Sequence, residues 1–93
     1  MQTKVVHCKK EAFDVYIGRP GKWGNPFNIG RDGDRASVIA KHKAWIVEQP
    51  ELMDSLHEIQ GKRIACWCAP LACHGNTLAE LADEYAPAAR GAP

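Results

Sequence analysis

The hydrophobic positions of this chain fall into six short patterned segments. Residues 4–8 and 13–17 read as strands, the second richer in β-branched and aromatic side chains. The link Lys9-Lys10-Glu11-Ala12 is too short for an ordinary parallel crossover, so two neighbouring strands here are expected to pair as an antiparallel hairpin. Residues 18–30 mix Gly and Pro breakers with Trp23 and Phe27. A loop this long in a small domain is usually functional or disordered, and the aromatics argue against disorder. Asp34 then stands as an N-cap, with Val38, Ile39, His42, Trp45 and Ile46 on one face of a helix running to about Glu48. Pro50 opens a second short helix that turns Leu52, Met53, Leu56 and Ile59 inward and stops at Gly61.

A third strand begins at Lys62-Arg63-Ile64-Ala65. Extended to position 68, it carries Ile64, Cys66 and Cys68 on one face and Ala65 and Trp67 on the other. Leu78, Leu81, Ala82 and Tyr85 then recur at helical spacing. The order β-β-α-α-β-α predicts one small α/β domain over residues 1–85, in two or three layers with at least three strands. Residues 86–93 have almost nothing to bury and are expected to form a flexible tail.

Size and charge narrow the possibilities. Ninety-three residues bury only a modest core, so a metal, a docked loop or a homodimer interface would each add stability. Twelve basic against eleven acidic residues leave no chain-wide basic field for a nucleic-acid backbone. The apolar runs are too short to span a bilayer, and the first residues lack the apolar core of a signal peptide. A cytoplasmic location is the expectation, and there the four cysteines stay reduced.

Chemistry concentrates in Cys66-Trp67-Cys68-Ala69-Pro70-Leu71-Ala72-Cys73-His74-Gly75-Asn76, on a strand-to-helix turn of the kind where α/β proteins gather ligands. Three readings compete. Cys66, Cys68, Cys73 and His74 are ligand types suited to zinc, but their spacing is irregular and adjacent Cys73 and His74 do not easily aim at one ion, so zinc is not favoured. Cys73 at a helix start is a candidate nucleophile, and His74 a candidate catalytic or substrate-holding group, against the plainer alternative of a buried inert cysteine. Gly75 and Asn76 at the same helix start suit a phosphate or carboxylate.

Arg19 joins that anion site if the second strand runs parallel to the third. Trp23 and Phe27 are placed to stack on a nucleobase and Asn25 to read its edge. The plainer alternative has the aromatics plugging the core, Asn25-Pro26 forming a turn and Arg19 making a surface ion pair.

These residues carry a family resemblance. Val15-Tyr16-Ile17-Gly18-Arg19, Trp23-Gly24-Asn25-Pro26-Phe27, Ile29-Gly30, Asp32-Gly33, Arg35, Gln49-Pro50-Glu51-Leu52 and the run from Cys66 to Gly75 together resemble an uncharacterised bacterial and bacteriophage domain of unknown function. The resemblance covers the chain from Val5 to about Ala82 and brings no reaction with it. It adds Arg35 to the candidate ligand-binding residues and implies an acidic residue at position 76, where this chain has Asn. It also implies a longer segment between Arg19 and Trp23. The resulting expectation is a domain that binds a nucleotide, a nucleoside or another anionic ligand, as an enzyme of nucleotide or DNA-base metabolism or without turnover. The alternative is a non-enzymatic module, zinc-braced or simply well packed, that binds a host or phage protein.

Overall fold

The computed structural model describes residues 2–69 and 71–85. The tail expected over residues 86–93 lies outside the described residues. Three strands, β1 (Lys4–His7), β2 (Val15–Tyr16) and β3 (Arg63–Cys66), form one sheet in the order β1-β3-β2. Both outer strands run parallel to β3: Val5 and Val15 each stand opposite Ile64, on its two sides.

The expected hairpin is therefore not formed. The link from β1 to β2 crosses β3 as a folded loop: the Lys10 and Glu11 amides close a turn on the His7 carbonyl, and Asp14 donates to the Arg63 carbonyl at 2.9 Å. Arg63 holds the link from the other side, through its amide to the Asp14 carboxylate and its guanidinium to Glu11. Such anchoring replaces the helix that a longer crossover would use.

Helix α1 (Arg35–Ile46) begins where expected, with the Asp34 carboxylate accepting the Ser37 amide at 2.9 Å. The helix expected from Pro50 to Gly61 is split into α2 (Pro50–Asp54) and a 3-10 turn (Leu56–Glu58). Ser55 sits at the break, its hydroxyl donating back to the Glu51 carbonyl in competition with the helical ladder. Gly61 then supplies a φ of +73°, a left-handed turn into β3.

Helix α3 (His74–Glu84) packs on β1 and β3, and α1 packs on α3. Ile17, Ile46, Leu56, Ile59, Ile64, Leu78 and Ala82 fill the space between, all nearly or fully buried. Gly75 lets α3 approach the sheet: a Cβ there would lie 2.9 Å from Ile17 Cδ1 and 3.1 Å from Val5 Cγ1. Strand β3 stops at Cys66, two residues short of the expected end, which frees Trp67 and Cys68 from strand alternation.

Candidate functional site

Because β2 and β3 run parallel, the segments leaving them emerge on the same edge of the sheet. Gly18 and Arg19 from the first, Trp67 and Cys68 from the second, and Cys73 and His74 at the start of α3 border one open cleft of about 450 Å³. The long loop supplies Asn25, Phe27, Asn28 and Ile29, and α1 supplies Arg35, Val38 and Ile39. Among the described residues, no acidic side chain lines it.

Charge distinguishes this cleft. Of the four arginines among the described residues, Arg31 is paired with Asp32 and Arg63 with Glu11. The cleft pair, Arg19 and Arg35, instead touch neutral oxygens: Arg19 donates to the Asn28 side-chain carbonyl, and Arg35 donates to the Ala72 carbonyl at 3.1 Å. Two guanidinium charges thus face one cleft without a carboxylate partner.

Three of the four cysteines, Cys66, Cys68 and Cys73, border the cleft. Cys66 and Cys73 bring their Sγ atoms to 3.1 Å. The hydrogen bond from Cys73 lowers the Cys66 thiol below its ordinary value, and the same bond together with burial raises Cys73. Cys73 also has a structural task. As N-cap of α3 it accepts the Gly75 amide on Sγ at 3.3 Å, while Asn76 Oδ1 accepts the Cys73 amide.

Other candidate residues have similar commitments. His74 is 9% exposed and donates from Nε2 to the Ile17 carbonyl at 2.8 Å, which fixes its tautomer. Burial lowers its pKa, and that carbonyl bond opposes the shift. Gly75 lies under Ile17 and Val5, and Asn76 faces away toward Gln2, Thr3 and Lys4, so neither borders the cleft. Trp23 is 4% exposed in the core and does not border it either. Asn25 borders the cleft, but its amide donates to the Val38 carbonyl and its side-chain oxygen accepts the Phe27 amide. The plainer readings of Trp23 and Asn25 describe these positions. Arg19, Phe27, Arg35, Cys66, Cys68, Cys73 and His74 are brought together. Among the described residues, no group of three or more His, Cys, Asp or Glu side chains converges as a metal cage.

Tyr16 and Trp67 were not among the expected ligand-binding residues. Trp67 is 57% exposed on the cleft rim, and its indole N–H donates to the Tyr16 hydroxyl at 2.9 Å. Its place between two cysteines of the motif was the available signal, masked by assigning it to the back of a strand.

Fold and site define a small parallel α/β domain with a cationic, aromatic-rimmed cleft at the carboxyl ends of its strands. The chain belongs to the family described as domain of unknown function DUF4326, whose model matches residues 2–84. It is also similar to an uncharacterised 12.4 kDa protein from the nrdA-td intergenic region of Enterobacteria phage T4. The two are 32% identical over 85 residues, covering 86% of this chain and 77% of the phage protein. No solved structure matches. No helix among the described residues is long and apolar enough to cross a membrane.

Proposed function

We propose that the cleft binds a small anionic molecule with a planar ring, of the nucleotide class. The carrying observation is the unpaired Arg19 and Arg35 in a cleft with no acidic lining among the described residues. Guanidinium groups recognise phosphate oxygens through charge-assisted bonds, and Tyr16, Phe27 and Trp67 supply ring surface beside them. A volume of about 450 Å³ falls within the usual range of ligand pockets. The helix start that was expected to hold the anion has its first donors engaged by its own cap, so side-chain charge takes that role. The proposal is for binding rather than for a particular turnover. Exposed Ile29, Trp67 and Leu71 support a second reading, in which the cleft receives a segment of a protein partner.

Calorimetric titration with nucleoside monophosphates and triphosphates, against the unphosphorylated nucleosides, tests the proposal. Saturable binding that needs phosphate is expected. It should weaken about ten- to a hundredfold in Arg19→Gln or Arg35→Gln, the range for losing a charge-assisted bond. Trp67→Ala should weaken it while leaving the fold intact. Trp23→Ala is unsuitable as a probe, because it removes a core side chain. Absence of binding, or affinity unchanged in both arginine variants, would overturn the assignment.

A further inference from the structure

Two thiols in contact at the border of the cleft have no part in anion binding. Cys66 and Cys73 are each 3% exposed, yet both border the open cleft. Their sulfur atoms are held 3.1 Å apart by two ordered elements rather than by a loose loop. Cys66 ends the central strand, in register with His7, and its carbonyl accepts the Cys8 amide at 3.0 Å. Cys73 is fixed by the reciprocal cap of α3. A disulfide needs the sulfurs at about 2.05 Å, so closing the bond asks for a movement of about 1 Å.

We propose that Cys66 and Cys73 form a two-electron thiol–disulfide couple whose oxidant is a hydroperoxide entering through the cleft. With hydrogen peroxide, the Cys66 thiolate attacks one peroxide oxygen and the O–O bond breaks. Cys66 becomes a sulfenic acid, and the departing hydroxide takes up one proton, matching the one Cys66 released on becoming a thiolate, and leaves as water. The Cys73 sulfur then attacks the Cys66 sulfur. An S–S bond forms, the S–O bond breaks, and the hydroxyl leaves with the Cys73 proton as a second water. Two thiols are oxidised and one peroxide is reduced to two waters.

The Cys66 sulfur has the backbone amides of Cys68 and Ala69 beside it as well as the Cys73 thiol, and these donors favour its thiolate, which makes Cys66 the attacking atom and leaves Cys73 to resolve the intermediate. A small oxidant suits sulfurs that are nearly buried yet border the cleft. The bond would also tie the base of the turn that carries Trp67, Cys68 and Ala72, and the Ala72 carbonyl holds Arg35. The redox state of the pair is thereby linked to the shape of the cleft, whatever the cleft binds.

The test is hydrogen peroxide treatment of the reduced full chain, followed by intact mass, thiol alkylation and chymotryptic mapping. Cleavage after Trp67 and Leu71 separates Cys66, Cys68 and Cys73. The expected product has lost two hydrogens, keeps two of its four thiols alkylatable, carries a Cys66–Cys73 link and is restored by dithiothreitol. Cys66 and Cys73 should be consumed together and ahead of Cys8, since only they have a second thiol in contact to complete the disulfide. Cys68→Ser should leave the link unchanged. Cys73→Ser keeps an N-cap acceptor and should instead accumulate a Cys66 sulfenic acid that dimedone captures. A link between other cysteines, equal consumption of all four thiols, or a Cys66 that stays reduced in the folded wild-type chain would overturn the proposal.

Discussion

Replacing His42 with leucine should stabilise this domain at neutral pH and reduce its acid sensitivity between pH 6.5 and 4. The His42 ring is fully buried on α1, and among the described residues no donor or acceptor reaches either ring nitrogen. Its neighbours are the His74 ring, edge-on at 5.1 Å, and the Trp45 ring at 5.9 Å. An unpartnered buried polar group costs about 1–3 kcal/mol. Leucine fills a similar volume and favours helix, so a gain of about 1–2 kcal/mol is expected. For a domain of this size that raises Tm by about 4–8 °C per kcal/mol.

The pH dependence follows from the same burial. Desolvation, with a smaller contribution from the charge on His74, takes the His42 pKa from its ordinary 6.5 to about 4. The folded state therefore resists a proton that the unfolded chain accepts. The contribution of His42 is complete above pH 6.5 and is lost as the pH falls toward 4, by about 2–3 kcal/mol at pH 4.5. His74, also lowered by burial, adds a slope of the same sign that survives in the variant. Urea unfolding of both proteins at pH 7.5 and pH 4.5 measures the difference directly. Equal losses in the two proteins, or a variant less stable at pH 7.5, would refute the reasoning.

Two further substitutions probe the start of α3. Gly75→Ala should cost about 1–3 kcal/mol in thermal or urea unfolding, because the new methyl meets Ile17 at 2.9 Å, Val5 at 3.1 Å and Cys73 Sγ at 3.2 Å; an unchanged Tm would mean that those side chains yield. Asn76→Asp keeps an oxygen for the Cys73 amide and places a negative charge in a first turn that has none, so it should add about 0.3–1 kcal/mol at pH 7 and low salt. That gain should disappear below the carboxylate pKa, and a loss at pH 7 would show that the Asn76 amide hydrogens matter.

Local signals in this chain were legible, and pairing between distant segments was not. Asp34 caps α1, Pro50 starts α2, and the Cys/His motif falls between β3 and α3, each because the decisive interaction lies within a few residues. Strand order depends on which strand is covered on both sides. Ile64, Ala65 and Cys66 form a short unbroken apolar run, each nearly or fully buried, which is the pattern of a central parallel strand. The two-residue strand β2 carries too little pattern to declare its neighbour. Trp23 and Trp67 exchanged their expected settings for a related reason. A loop residue can fold back into the core, as Trp23 does, and a residue just past a strand escapes its alternation, as Trp67 does.

The source of positive charge in the cleft also bears on how an anion would be held there. At the start of α3, the Gly75 amide is turned to Cys73 Sγ, the Cys73 amide to Asn76 Oδ1, and the Asn76 amide to the Cys73 carbonyl. An anion bound there would have to break the cap that starts the helix. Arg19 and Arg35 have no such obstacle. Their present partners are a side-chain amide oxygen and a main-chain carbonyl, both neutral. A phosphate would replace weak contacts with charge-assisted ones and would not first have to separate an ion pair. Asp32 and Glu11 are instead paired with Arg31 and Arg63. Among the described residues the fold thus pairs its other two arginines with acids and leaves Arg19, just past β2, and Arg35, at the start of α1, available to an anion, whereas one at the helix terminus would meet donors already engaged.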